Sequence, residues 1–384
     1  MSQPAPFPFS AIPSIDANPL PDPRRLRVAV FSDSLPERNG AGAYYADLVA
    51  QLEGEVGAIE LFQPARTRRM LRLAVPLPGD PTQKLITPNV FRLRRQFQQM
   101  RPHVVVAVTP GPFGLLGLFF AKRHQAAFLT GFHTHFEALV KLYGGSLFFR
   151  LAFVYLEQVN KFLCRRSDAV IVNNRDLIPT VRRLGAPAVE VMGTPLARSF
   201  LEGAAVEAPA RLQRVLFAGR LAPEKNLPAV LEAARALPQV TFAIAGDGPL
   251  RAKVKAAAAE LPNLELLGWL DRPALCAEMD RASLLLLPSH LETFGTVALE
   301  AMARGRPALV SERAGIHDWE LLRPALFSLP EGQSIATALL RIRDVPETEW
   351  REKAEAARRV ARQLNRETVH QWVDCIQRHA GEHA

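Results

Sequence analysis

Cysteine is scarce in this chain, with three among 384 residues: Cys164, Cys276 and Cys375, far apart and odd in number. That spacing builds no disulfide framework and points to a reducing compartment. No clustering of His and Cys at zinc spacing is seen, and no metal site is expected. Long apolar runs are missing as well. The longest candidates, FGLLGLFFA and LFFRLAFVYL, are too short or broken by charge, which excludes a membrane-spanning helix. Residues 1–23 lack a basic n-region and an apolar core but hold seven prolines. They are expected to be a disordered tail, not a signal peptide.

What remains is the composition of a globular protein, 48% apolar and 22% charged, long enough for two αβ domains with proper cores. The charge is unevenly spread. Residues 1–205 hold 24 Lys and Arg against 15 Asp and Glu, whereas residues 206–384 hold 23 of each. The whole excess of +9 therefore lies in one half, as a surface with a task requires. Its clusters are Arg66-Arg68-Arg69-Arg72 in RTRRMLRL, Arg92-Arg94-Arg95 in FRLRRQF, and Arg165-Arg166. Cations interleaved with apolar residues suit contact with an anionic membrane surface. Nucleic acid is the competing partner, but no recognised nucleic-acid motif accompanies the charge, so none is expected to bind.

Along the chain, short apolar runs alternate with helical patterns. Strands are expected near 26–32, 56–62, 103–108, 126–130, 168–173 and 188–192, with helices between them. Residues 201–214, LEGAAVEAPARLQR, read as a linker. A second series places strands near 213–218, 240–245, 263–267, 283–287 and 307–310. The fold class is thus α/β, with two Rossmann-like doubly wound domains (24–200 and 215–345) facing across a cleft. Residues 346–384 form a charged terminal helix with Trp350, Val360, Leu364 and Trp372 as packing anchors.

The most informative segment is LLLLPSHLETFGTVALE, 284–300. Four leucines make a buried strand that stops at Pro288; Glu292 sits in the following loop. Gly295 opens a helix that carries Glu300, and the backbone there can aim free N–H groups at an anion. If helical throughout, the two glutamates would stand about 12 Å apart along the axis, suited to two parts of an extended ligand. Upstream, VLFAGRLAPEKN ends a strand at Gly219 and follows it with Arg220 and Lys225, a guanidinium fork and a point charge suited to a diphosphate. AGDGPL adds a second strand-to-turn junction at Gly246.

In this order, GRLAPEKN, AGDGPL and PSHLETFGTVALEAMARGRP resemble the family-4 retaining glycosyltransferases of the GT-B fold. RVAVFSDSLPERNG, VAVTPGPFGLLGLFFAKR and LTGFHTHFEALVKLYGG extend the resemblance to about residue 26, and look like members acting on membrane lipids. The resemblance implies a metal-independent enzyme without cofactor, moving a hexose from a nucleotide-sugar donor to a lipid or glycan acceptor. A chain free of any Asp-x-Asp pair agrees with that. It further implies that Arg220 and Lys225 hold the diphosphate, Glu292 meets the sugar and Glu300 the ribose. Phe294 and Gly295 then offer backbone to sugar and phosphate, Gly40 approaches the phosphate from the other domain, and His133 lies beside the donor sugar. His135 stands where the family is often acidic. The terminal helix is expected to cross back onto the first domain, and the protein to be cytoplasmic, peripheral on the inner face of the membrane. Two departures concern the acceptor side: TPLARSF after Gly193, and AGIHDWELLRPALFSLP, where Glu320 keeps the expected acid. A soluble-acceptor transferase, a nucleotide-sugar epimerase and a non-catalytic binding protein of the same fold are the alternatives.

Overall fold

The computed structural model describes residues 20–34, 40–64, 75–77, 80–133, 147–203, 206–209 and 211–383; the side chains of 40–41, 75–77, 80–85 and 147–153 are outside the description. The Pro-rich 1–19, the Arg66–Arg72 cluster and His135 lie outside the described residues.

Two six-stranded sheets carry the fold. In the first, β1 (Arg27–Phe31), β2 (Ala58–Phe62), β5 (Val104–Ala107), β6 (Ala127–Gly131), β7 (Ala169–Val172) and β8 (Val189–Val191) lie in the order β2-β1-β5-β6-β7-β8. In the second, β9 (Arg214–Ala218), β10 (Thr241–Ala245), β11 (Leu264–Gly268), β12 (Leu284–Leu287), β13 (Ala308–Ser311) and β14 (Leu326–Leu329) lie in the order β11-β10-β9-β12-β13-β14. All pairings in both sheets are parallel. A separate antiparallel pair, β3 (Val75–Leu77) and β4 (Asp80–Leu85), was not legible in the sequence pattern. Neither was β14, whose apolar and polar residues mix.

Helices cover both faces, which is why the strands are apolar on both. Leu284 and Leu286 join one core cluster and Leu285 and Leu287 the other. Each is at most 1% exposed, and burying one such side chain is worth about 1.5–3 kcal/mol. The strand order of the second sheet reverses between β9 and β12, and that of the first between β1 and β5. In open α/β sheets the crevice for a ligand lies beyond the carboxyl ends of the strands at such a reversal.

The terminal helix, Glu347–Glu382, runs 36 residues and belongs to both halves. Trp350, Ala357, Val360 and Leu364 pack in the cores of the second sheet, whereas Trp372, Cys375 and Ile376 pack under the first. Trp372 Nε1 donates to Tyr44 Oη at 3.1 Å, and Asn365 Oδ1 accepts from Leu196 N at 2.8 Å. Within 201–214 the described residues have no strand before Arg214.

Candidate functional site

Gly219, Arg220 and Lys225 follow β9; Ser289 to Gly295 follow β12. They therefore meet at the reversal point of the second sheet. Gly219 and Gly246 close its floor. A Cβ on Gly246 (φ 140°) would stand 1.8 Å from the Gly219 carbonyl oxygen, so the two loops approach this closely only without a side chain.

The charged residues come in pairs. Lys225 Nζ donates to Glu292 Oε2 at 2.6 Å, both side chains being mostly buried. Arg220 lies 3.8 Å from Glu224, a buried residue one turn ahead. Each cation thus faces a carboxylate, and Lys225 and Glu292, assigned to different parts of a ligand on resemblance, share one bond.

Gly295 takes φ 107° as N-cap of the helix Thr296–Ala303, and no side chain caps that helix. The loop before it is braced through its carbonyls. Glu292 O accepts from Gly315 N, Phe294 O from Ile316 N, and Thr293 O from Asn174 Nδ2 in the first domain. With those oxygens committed, the loop is fixed, and the first turn of the helix keeps N–H groups for an anion. Phe294 is an anchor of this arrangement, buried edge-on against Trp319 at 6.3 Å.

Glu300 lies one turn further on. Burial raises its carboxyl to about 8, the negative charge of Asp47 adds to that, and the guanidinium of Arg272 opposes it. Asp47 belongs to the helix Gly40–Leu52 of the first domain and binds Arg272 at 2.5 Å across the cleft. Burial likewise lifts Asp47 to about 6 against the pull of Arg272. Gly40 begins that same helix. His133 follows β6; its Nε2 lies 2.8 Å from Tyr45 Oη, and burial lowers its pKa to about 4. Among the described residues no hydrogen bond joins His133 to Arg220, Lys225, Glu292 or Glu300.

Sequence reasoning missed Tyr45, which holds His133 within the first half, and the residues that join the halves: Asp47, Asn174, Arg272 and Trp319. The segment AGIHDWELL, a departure from the resembling pattern, supplies several of these contacts. Asp318 accepts from Arg175 N at 2.9 Å, and Trp319 Nε1 donates to Asn173 O at 3.2 Å. Glu320 instead points outward with Arg323 at 3.8 Å. Cys375 and His379, one turn apart on the terminal helix, face Glu190 of β8 with potential ligand atoms within 4.8 Å of one another. Four-residue spacing puts them on one helical face. Arg378 already neutralises Glu190 at 2.7 Å.

The two parallel sheets, the cleft between them and paired charges at the reversal point define a GT-B glycosyltransferase architecture. The sequence model for Glycosyltransferase Family 4 matches residues 38–196, and that for Glycosyl transferases group 1 matches residues 204–345. The chain belongs to this family. A sulfoquinovosyl transferase of Arabidopsis thaliana is 24% identical over 243 residues, 59% of this chain and 46% of that protein. A GDP-mannose-dependent alpha-(1-6)-phosphatidylinositol dimannoside mannosyltransferase of Mycobacterium tuberculosis is 34% identical over 148 residues, 37% of this chain and 38% of that protein. The chain thus spans less than half the length of these relatives. Among solved structures, sucrose-phosphate synthase from Thermosynechococcus elongatus superposes with a TM-score of 0.70 at 18% identity, over 92% of this chain and 98% of that one.

Proposed function

We propose that the protein transfers a hexose, with retention of configuration and without a metal ion, from a nucleotide-diphosphate-sugar to a lipid or membrane-proximal acceptor. The observation that carries this reading is the convergence of Arg220, Lys225 and an uncapped helix start at the reversal point of the second sheet. Glycosyl transfer develops positive charge on the sugar and negative charge on the departing phosphate. A guanidinium, an ammonium and backbone N–H groups fixed in place beforehand stabilise that phosphate. Glu292 is then released from Lys225 to the sugar hydroxyls, Glu300 takes the ribose, and His133 stands beside the sugar. Gly40 brings the helix of the first domain to the phosphate.

The lipid acceptor is supported by the first domain and by the name of the phosphatidylinositol mannoside relative. The helices Val90–Met100, Pro112–Arg123 and Leu147–Arg166 pack on one face of the first sheet through Phe97, Phe120 and Leu163. Their outward side carries Phe91 (87% exposed), Phe119 (59% exposed) and Phe162, beside exposed Arg92, Arg94, Arg95, Lys122, Arg123, Arg165 and Arg166. Such a surface suits an anionic membrane. Among the described residues no helix is long and apolar enough to cross one.

A thermal-shift screen of nucleotide-sugars tests the donor half of the reading. A ligand that binds only the folded state raises the midpoint. One nucleotide-sugar should do so in excess chelator, and a panel that leaves the midpoint unmoved contradicts the reading.

A further inference from the structure

The helix Gly40–Leu52 carries two adjacent tyrosines whose hydroxyls serve different partners. Tyr44 Oη donates to the Gly193 carbonyl at 3.0 Å and accepts from Trp372 Nε1 at 3.1 Å, which satisfies it. Tyr45 is fully buried, and its hydroxyl lies 2.8 Å from His133 Nε2. Among the described residues that hydroxyl has no second hydrogen-bond partner. A buried O–H left without an acceptor is costly, so the phenol donates and the ring nitrogen accepts. A nitrogen that accepts carries no proton. The proton of the neutral imidazole must then sit on Nδ1.

Two further features hold the pair in this state. Burial keeps the Tyr45 phenol well above its ordinary pKa and His133 near 4, so neither ionises around neutrality. Gly131, at the end of β6, leaves the necessary space: a Cβ there would lie 2.1 Å from Tyr45 Oη and 2.8 Å from His133 Nε2. The imidazole is also flanked by both tyrosine rings, at centroid distances of 5.2 and 5.4 Å.

We propose that Tyr45 is a positioning residue that fixes His133 as its Nδ1–H tautomer, so that the imidazole serves the donor site as a hydrogen-bond donor through Nδ1 and not as a base through Nε2. The contribution to transfer rests on the function proposed above; the tautomer does not. A ring whose basic nitrogen is occupied by a phenol cannot take the acceptor proton, which must leave by another group. Nδ1–H is the one polar atom of the ring left to meet an oxygen of the donor.

Nitrogen-15 NMR of the full-length protein labelled at histidine reads the tautomer directly, with the His133→Gln variant identifying the signal. At pH 7 the wild type should show a protonated Nδ1 and a bare Nε2. Tyr45→Phe keeps the ring volume and should populate the Nε2–H form. It should also lower turnover about tenfold, with the donor KM within about twofold of wild type. A wild-type ring protonated on Nε2 overturns the proposal, and so does a Tyr45→Phe spectrum identical to wild type. The expected tautomers in a protein that transfers no sugar would instead overturn the proposed function and leave the assignment standing.

Discussion

Lys225 Nζ and Glu292 Oε2 are 2.6 Å apart, so the cation proposed for a diphosphate and the carboxylate proposed for a sugar are bonded to each other. Under the proposed function, donor binding exchanges that bond for two new ones. Lys225→Ala should cost at least about 2 kcal/mol in transition-state stabilisation, some thirtyfold in kcat/KM. Because the partners are in contact, the loss in the double variant with Glu292→Ala should be smaller than the two single losses combined. Steady-state kinetics of the four proteins decide this; full activity in Lys225→Ala would remove the diphosphate assignment.

Glu300 gives a pH signature. Its folded-state pKa of about 8 exceeds the ordinary carboxylate value, so the folded protein holds a proton there at neutrality. In its proposed role Glu300 accepts from ribose hydroxyls in its ionised form, so nucleotide binding should release a proton and tighten as pH rises toward 8. The same raised pKa makes the folded protein bind more protons than the unfolded chain, so this group's contribution to stability is present at low pH and lost between about 4.5 and 8. Calorimetry in buffers of different ionisation enthalpy counts the proton. Glu300→Gln should abolish the release and Glu300→Ala should weaken nucleoside diphosphate binding, whereas Glu292→Ala should leave that binding nearly intact.

Asp47 is 3% exposed, and Arg272 is its partner across the cleft. Arg272→Ala leaves a buried carboxylate unpaired. With the arginine itself 42% exposed, the expected loss is discounted to about 1–2 kcal/mol of stability. It should lower Tm and raise the radius of gyration in small-angle scattering. Asp47→Asn should be milder, since the amide carries no charge. Unchanged scattering in Arg272→Ala would mean that other contacts, such as Asn174 to Thr293, hold the halves together.

Each Lys or Arg close to an anionic surface contributes on the order of 1 kcal/mol, screened within about 8 Å at physiological salt. Cosedimentation with anionic vesicles should therefore fall steeply with salt. It should fall again when Arg92, Arg94 and Arg95 become Glu, and separately in Phe91→Ser, while neutral vesicles bind poorly. Indifference to anionic vesicles at low salt would favour a soluble acceptor.

The α/β class and the two sheets were legible because strands buried on both faces read as short apolar runs: LLLL at 284–287 lies entirely in β12. Arg220, Lys225, Glu292 and Gly295 stood out because they sit at fixed offsets from strand ends, and the structure brings them to one reversal point. Contacts between the halves left no such mark. Asp47 and Arg272 are 225 positions apart, and each looks locally like an ordinary helix residue. Tyr45 reads as one more apolar position in GAGAYYADLVAQL, and only the arrival of His133 from β6 gives its hydroxyl a task. Trp319 and Asp318 lie in a segment that departs from the resembling pattern, so no template pointed to them.

Transfer itself is the most direct test. The full-length protein is incubated in chelator with the nucleotide-sugar that raises its midpoint most, radiolabelled in the hexose, and with anionic lipid vesicles. The account predicts label in the organic-extractable fraction, released nucleoside diphosphate in equal amount, and a glycosidic bond of the same anomeric configuration as the donor. Donor that binds but is never cleaved, with lipid or with soluble acceptors, would contradict it.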